Sequence, residues 1–278
     1  MVADSTRYDM VHAPDESYYA KQYWSYISPL LQNLPCDAHC LDLGCSQGRF
    51  SLKVAEYFRE GSVIACDLSA SAIASAKKNA EIRQLTNVSF NHQSIADQLS
   101  SLRHEGDFEL LMMTEVTFCY PEWQSHLPKM ISMLRPGGLL VMSFRSQYFD
   151  ALCLVRSRNW GAVDMVMGKR RGQLFPPSPL EFSWQTSSEI RSMFEESGLE
   201  LLVLQGVGVC SGIPGDPHDC IARPSLLDSV ERSYLMKLEV EFGKMIPDAG
   251  RYILAIGKKR TVNNPSIPPS LDHGQKEA

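Results

Sequence analysis

The chain has 278 residues, long for one domain and short for two full ones, and α/β units of this length often run as one body. Hydrophobic residues make up 44% and charged residues 21%, near the globular average, which excludes a wholly disordered chain. Lys+Arg number 27 against 32 Asp+Glu, a net charge of -5; a general phosphate-backbone binder is normally basic, so nucleic acid is not an expected partner.

Residues 1–15 are polar and carry no apolar signal region. Residues 16–34 read as a helix, because Tyr19, Tyr23, Tyr26, Ile27 and Leu30 recur at three- and four-residue steps. Short apolar strands are then expected at 40–43, 63–66, 88–90, 108–113 and 139–144. Helical spacing occupies 49–58, 70–85 and 123–134, with Ser69 as an N-cap. Alternation of this kind predicts βαβ units and a mostly parallel sheet. Pro136-Gly137-Gly138 is a turn feeding the fifth strand. Residues 145–185 break the pattern and read as an insertion, a functional cover or excursion rather than a structureless loop. Thr186 and Glu189 fit a capping box and Gly198 a helix stop. Strands at 199–204 and 251–256 follow. The domain reading is an N-terminal helix or lid at 1–35, a main domain at 36–260 and a loose tail at 261–278.

Eight cysteines spread from position 36 to 220 lack the density of a disulfide scaffold. Cys36 and Cys40 have no second pair to complete a zinc site, and no metal is expected. Cys40, Cys45 and Cys66 read as buried thiols. No stretch approaches the roughly 20 apolar residues of a membrane span. A soluble, cytoplasmic protein with no membrane partner is expected; the oligomeric state is not readable.

The most informative stretch is Leu41-Asp42-Leu43-Gly44-Cys45-Ser46-Gln47-Gly48-Arg49-Phe50. A strand ends, small residues turn, and a helix starts. Glycines there let backbone approach a ligand, and free N–H groups at the helix start attract an anion. Gly44 to Gly48 also matches the G-x-S-x-G elbow of serine hydrolases, with Ser46 as nucleophile and His218 as its base. Three features favour a nucleotide-cofactor loop. The turn follows the first strand, where the hydrolase elbow needs earlier strands. Asp42 lies in the strand, where a hydrolase has no use for it. Asp67 closes the next strand, 19 residues past Gly48, where dinucleotide folds place an acid on ribose hydroxyls. A nicotinamide dinucleotide would need glycines where Ser46 and Arg49 stand.

Asp42-Leu43-Gly44-Cys45-Ser46-Gln47-Gly48 resembles the D/E-x-G-x-G-x-G signature of class I S-adenosylmethionine-dependent methyltransferases, with Ser46 for the middle glycine. Asp67, the strand 108–116, Leu134-Arg135-Pro136-Gly137-Gly138 and the ending Gly250-Arg251-Tyr252-Ile253-Leu254-Ala255-Ile256 follow in family order. The resemblance covers 36–144 well and 186–259 more loosely. It implies a Rossmann-like, doubly wound α/β sheet of seven strands, the last antiparallel, and S-adenosylmethionine as cofactor. By the same resemblance Gly44, Cys45, Ser46 and Gly48 approach the methionine part and Asp42 its ammonium. Asp67 accepts the ribose hydroxyls and Leu68 flanks adenine. Ser94 and Ile95 stand where family members often carry an Asp for the adenine amino group, with Asp97 as the alternative. Thr114 and Glu115 lie near the methyl group.

Methyl transfer needs alignment, which supplies up to ~7–11 kcal/mol. A phenol or alcohol acceptor also needs its proton removed. His126, His218 and Glu115 are candidate bases. His218 leads, because it sits in a turn-rich segment between the last two strands; a loop-anchoring histidine is the plainer reading. Tyr18, Tyr19, Tyr23 and Trp24 are read either as a lid facing a sulfonium or as helix packing. Arg156, Arg158, Lys169, Arg170 and Arg171 form a basic group in the insertion, read either as a solvated face or as a patch for an acidic acceptor or a carrier phosphate, and Trp160, Phe175, Phe182 and Trp184 suit a cap over an apolar, drug-sized acceptor. The expected activity is methylation of O, N or C on a small molecule. A cofactor-binding protein without turnover is the remaining alternative.

Overall fold

A computed structural model describes residues 9–102, 106–173 and 181–261. The expected segment around Phe175 and the tail lie outside them. Nine strands and nine α-helices are seen among the described residues. The chain opens with α1 (Pro14–Leu31), then β1 (His39–Leu43), α2 (Ser51–Tyr57), β2 (Ser62–Asp67), α3 (Ala70–Ile82) and β3 (Val88–His92). It continues through α4 (Ile95–Ser101), β4 (Phe108–Met113), α5 (Trp123–Met133) and β5 (Leu134–Arg145). The insertion holds α6 (Gln147–Arg156), α7 (Trp160–Gly168), β6 (Arg171–Gly172) and β7 (Phe182–Ser183). The last elements are α8 (Ser187–Glu196), β8 (Leu199–Val207), α9 (Ser229–Met245) and β9 (Tyr252–Lys259).

Seven strands form one sheet in the order β3-β2-β1-β4-β5-β9-β8. All neighbours are parallel except β9, which runs antiparallel to both β5 and β8. This is the doubly wound architecture expected from the alternating pattern. The central strand β4 is buried along its whole length, as a strand covered on both faces must be. Its residues alternate between two cores. Leu110 and Met112 pack with Tyr23, Ile27, Phe50 and Val54; Leu111 and Met113 pack with Trp123, Met130, Ile190 and Phe194. Ser69 caps α3 through Ala72 N, and Thr186 with Glu189 makes the capping box of α8.

Three differences from the expected elements have physical causes. Helix α4 is only seven residues long and largely polar, so it shows little periodicity. The Pro136-Gly137-Gly138 turn lies inside β5, where the register against β4 shifts between Phe108 and Leu110; Gly137 takes φ +84 to allow it. Helix α9 turns Val230, Tyr234 and Leu238 to solvent and buries Leu235, Glu239 and Gly243, so its apolar pattern did not point inward. The insertion has its own small core of Ala151, Leu154, Val166, Phe182 and Trp184. Trp184 is fully buried there and donates its indole N–H to Val166 O at 2.8 Å, whereas Trp160 is 61% exposed.

The buried Glu239 of α9 ties three elements together. Its carboxylate accepts from Val209 N at 2.6 Å, Cys210 N at 3.2 Å, the Ser211 hydroxyl at 2.5 Å and the Gln22 amide of α1 at 3.4 Å. Gln22 also accepts from Gly208 N, and Gly208 O accepts from Arg251 N. The chain entering β9 is thereby fixed against α1 and the exit of β8.

Candidate active site

The turn after β1 is shaped by three residues in left-handed backbone: Gly44 at φ +81, Ser46 at +49 and Gly48 at +84. Glycine takes this region freely. Ser46 takes it at a cost of roughly 1–2 kcal/mol, the kind of local strain that marks functional turns. Gly44 N and Cys45 N both donate to Cys66 O at 2.9 Å. A Cβ on Gly44 would stand 2.4 Å from Val116 Cγ2, so the turn is held against the segment leaving β4.

Asp67, the last residue of β2, joins two turns. Its Oδ2 accepts from Ser46 N and its Oδ1 from Ser69 N, each at 2.8 Å. Asp42 is 3% exposed and accepts the Ser51 hydroxyl at 2.5 Å. Burial pushes the Asp42 pKa up to about 6, with the Ser51 bond opposing and the Asp67 charge adding to the rise.

Leu68 follows as a 70% exposed apolar side chain, and His92 Nε2 lies 3.1 Å from its carbonyl. Ser94 caps α4: its hydroxyl accepts from Asp97 N at 3.0 Å and donates to the Asp97 carboxylate at 2.6 Å. Ile95 and Thr114 are buried. Glu115 sits at φ +57 and donates its N–H to the Ser143 hydroxyl at 2.6 Å. Asp42, the 44–48 turn, Asp67, Leu68, Ser94, Ile95, Thr114 and Glu115 therefore all stand at or just past the carboxyl ends of β1 to β4. That edge is where sheets of this type take ligands.

Beside this edge lies a charge cluster that the sequence did not reveal. Arg49, 6% exposed, bridges Glu115 at 3.1 Å and Glu16 of α1 at 3.2 Å, and donates to Glu16 O at 3.0 Å. Its guanidinium lies over Phe50 at 5.2 Å and Tyr23 at 6.0 Å. Burial works against its charge, but the Glu115 and Glu16 carboxylates outweigh it and hold its pKa above the ordinary value. Farther along the sheet, Arg145 ends β5 and Arg251 precedes β9. Arg145 Nε donates to Asp150 at 2.7 Å, and Arg251 Nε is 3.2 Å from Asp216. Both guanidiniums stack on Tyr252, at 5.2 and 5.6 Å from its ring centre. Burial and the Glu115 charge raise the Tyr252 pKa. The available signal was faint: single arginines next to apolar strand runs at a carboxyl edge.

The other expected residues fall as follows. His218 is buried, with Nδ1 3.3 Å from Gly208 O and its ring edge-on to Phe149 at 5.3 Å. No hydrogen bond joins it to Ser46 among the described residues. His126 pairs with the Tyr120 hydroxyl at 3.0 Å and lines a cleft of about 440 Å³ with Leu99 and Lys129, beside α4 and α5. Tyr18, Tyr19 and Tyr23 are buried in the core, and Trp24 packs on Lys53 and Tyr57. The basic group of the insertion is partly neutralised. Arg156 pairs with Asp219, Arg170 with Glu189, and Arg171 donates to Pro121 O. Asp219 also meets Arg223 and Gly215 N. All eight cysteines are free thiols; Cys40, Cys45 and Cys66 are buried, and burial lifts Cys66 to about 12. No described helix is long and apolar enough to cross a membrane.

Comparison with known proteins places this architecture among relatives. A methyltransferase-domain family profile matches residues 36–198. The tRNA 5-carboxymethoxyuridine methyltransferase of Escherichia coli is 28% identical over 244 residues, 85% of this chain and 86% of that protein. An S-adenosylmethionine-dependent methyltransferase of Methanosarcina mazei superposes with a TM-score of 0.54 at 18% identity, covering 84% of this chain and 97% of the other. The magnesium protoporphyrin IX methyltransferase of Synechocystis, solved with bound S-adenosylhomocysteine, gives 0.55 at 14% identity, covering 88% and 85%.

Proposed function

This chain belongs to the class I S-adenosylmethionine-dependent methyltransferases, and we propose that it moves the methyl group onto O, N or C of a small molecule held beside Glu115. Bound S-adenosylmethionine supplies an electrophilic methyl on a sulfonium and leaves as S-adenosylhomocysteine. The observation that carries the site is the single edge on which the 44–48 turn, Asp67 and Glu115 meet. Each Asp67 oxygen accepts one N–H bond in this structure, and a carboxylate oxygen has two lone-pair positions, so both keep capacity for ribose hydroxyls. Gly44 and Gly48 give the turn the left-handed backbone that would bring it close to the methionine part, and Asp42 would face its ammonium. Leu68, Ser94 and Ile95 line the adenine end, with Asp97 held by Ser94. Thr114 and Glu115 border the methyl. Arg49, clamped between Glu16 and Glu115, fastens α1 over this edge as a lid. For an acceptor with an ionisable hydroxyl, His218 is the proposed base. The described part of the 145–185 insertion and the 206–245 segment complete the acceptor wall.

A second reading, in which the acceptor is a modified nucleoside in tRNA, is favoured by the name of the Escherichia coli relative. The net charge of -5 and the paired arginines of the insertion support the small-molecule reading. Tritiated S-adenosylmethionine offered with a small-molecule extract and, separately, with bulk tRNA tests both. Label in the low-mass fraction is the expected result. Label in tRNA would establish the second reading, and transfer to neither would contradict both.

A further inference from the structure

We infer that Arg145 and Arg251 form a receptor for a carboxylate carried by the methyl acceptor. This rests on the methyltransferase reading of the same crevice and names the chemical class of its substrate. The two arginines come from different parts of the chain, yet they are presented alike. Each stands beside a protein carboxylate: Arg145 Nε donates to Asp150 at 2.7 Å, whereas Arg251 Nε is ion-paired with Asp216 at 3.2 Å without a hydrogen bond. Each is steadied by aromatic rings: Arg145 over Phe149 at 4.5 Å, Arg251 over Tyr19 at 5.7 Å, and both against Tyr252. Among the described residues no hydrogen bond reaches the terminal nitrogens of either. The nearest carboxylate to those of Arg251 is Glu16, at 3.9 Å.

A guanidinium steadied by rings and a neighbouring carboxylate, with no hydrogen bond spent at its terminal nitrogens, keeps N–H donors of its planar fork available to a ligand. That fork matches a carboxylate in bidentate geometry. A purely structural arginine in this setting would be expected to spend its terminal donors on protein oxygens, as Arg49 does on Glu16 and Glu115. The side chains of Arg145 and Arg251 are 16% and 13% exposed, so a ligand can reach them while water screens them little. Their position fits the reaction. Arg145 lies two residues beyond Ser143, which binds Glu115 N, and it is the register partner of Tyr252.

The test uses the full chain saturated with S-adenosylhomocysteine and titrated with acetate, benzoate and succinate, followed by NMR. Saturable binding of at least one of them is expected, weakened at least tenfold in R145Q and in R251Q. R145K and R251K keep the charge but lose the fork, and are expected to bind with intermediate affinity; they serve as the readout should either Gln variant fail to fold. Calorimetry with S-adenosylmethionine on the same samples separates the two levels of the argument. Loss of cofactor binding by the wild-type chain would refute the methyltransferase reading. Intact cofactor binding overturns the carboxylate receptor alone in three cases: no saturable carboxylate binding, affinity unchanged in the variants, or sulfate bound as tightly as the carboxylates.

Discussion

The two halves of the proposed site are assembled in different ways. On the proposed cofactor side Asp42, the 44–48 turn and Asp67 come from neighbouring parallel strands joined by one helix. On the proposed acceptor side Glu16, Arg49, Arg145, Asp216 and Arg251 come from five separate segments spread over most of the chain. The first arrangement needs only a short loop closure and therefore leaves a motif. The second exists only once α1, β5, the 206–228 loop and β9 have packed. A methyl donor common to a family can be held by a local device, whereas an acceptor particular to one protein is met by residues that tertiary structure gathers.

Arg49 links the two sides, and breaking it should have the largest effect. Arg49→Met removes the cation that the buried Glu16 and half-buried Glu115 share, a loss of about 3–5 kcal/mol for a buried pair cut on one side. Thermal unfolding should show it, and a stability change below 1 kcal/mol would mean that α1 is not fastened through this residue. Gly44→Ala tests the local device alone. The new Cβ meets Val116 and must adopt φ +81, costing about 1–3 kcal/mol in overpacking and roughly 1 more in backbone strain. The expected outcome is a lower melting temperature with loss of cofactor binding; a variant that binds normally would show that the turn has slack.

Asp42 gives a smaller effect with a defined sign. Its folded pKa is raised to about 6, chiefly by burial. The apo fold therefore holds this proton more tightly than the unfolded chain does, and its stability declines as pH rises from near 4 towards 6. With the cofactor's ammonium at Asp42, as proposed, cofactor affinity should run the other way, because only the ionised carboxylate attracts it. Affinity should weaken by about tenfold between pH 7 and pH 5, and Asp42→Asn should flatten that dependence. A pH dependence identical in the two proteins would assign the titration to another group.

Much of the sheet was legible because buried parallel strands read as apolar runs between turn signals, and β1 to β4 fall close to the expected positions. The loop could be read because Gly44 and Gly48 sit where only glycine is comfortable. Ser46, the departure from the signature, proves to adopt the same left-handed backbone as the glycines around it. Arg145 and Arg251 were not legible, since a lone arginine at a strand end looks the same whether it is exposed or, as here, mostly buried. Glu239 was hidden likewise: nothing in its helix reveals that four donors converge on it.

The most direct test of the central claim is calorimetric titration of S-adenosylmethionine into the wild-type chain and into Asp67→Ala. One site per chain is predicted for the wild type, with the variant weaker by about 1–3 kcal/mol through its lost hydrogen bonds. Equal affinity in the two proteins would contradict the placement of the cofactor on this edge.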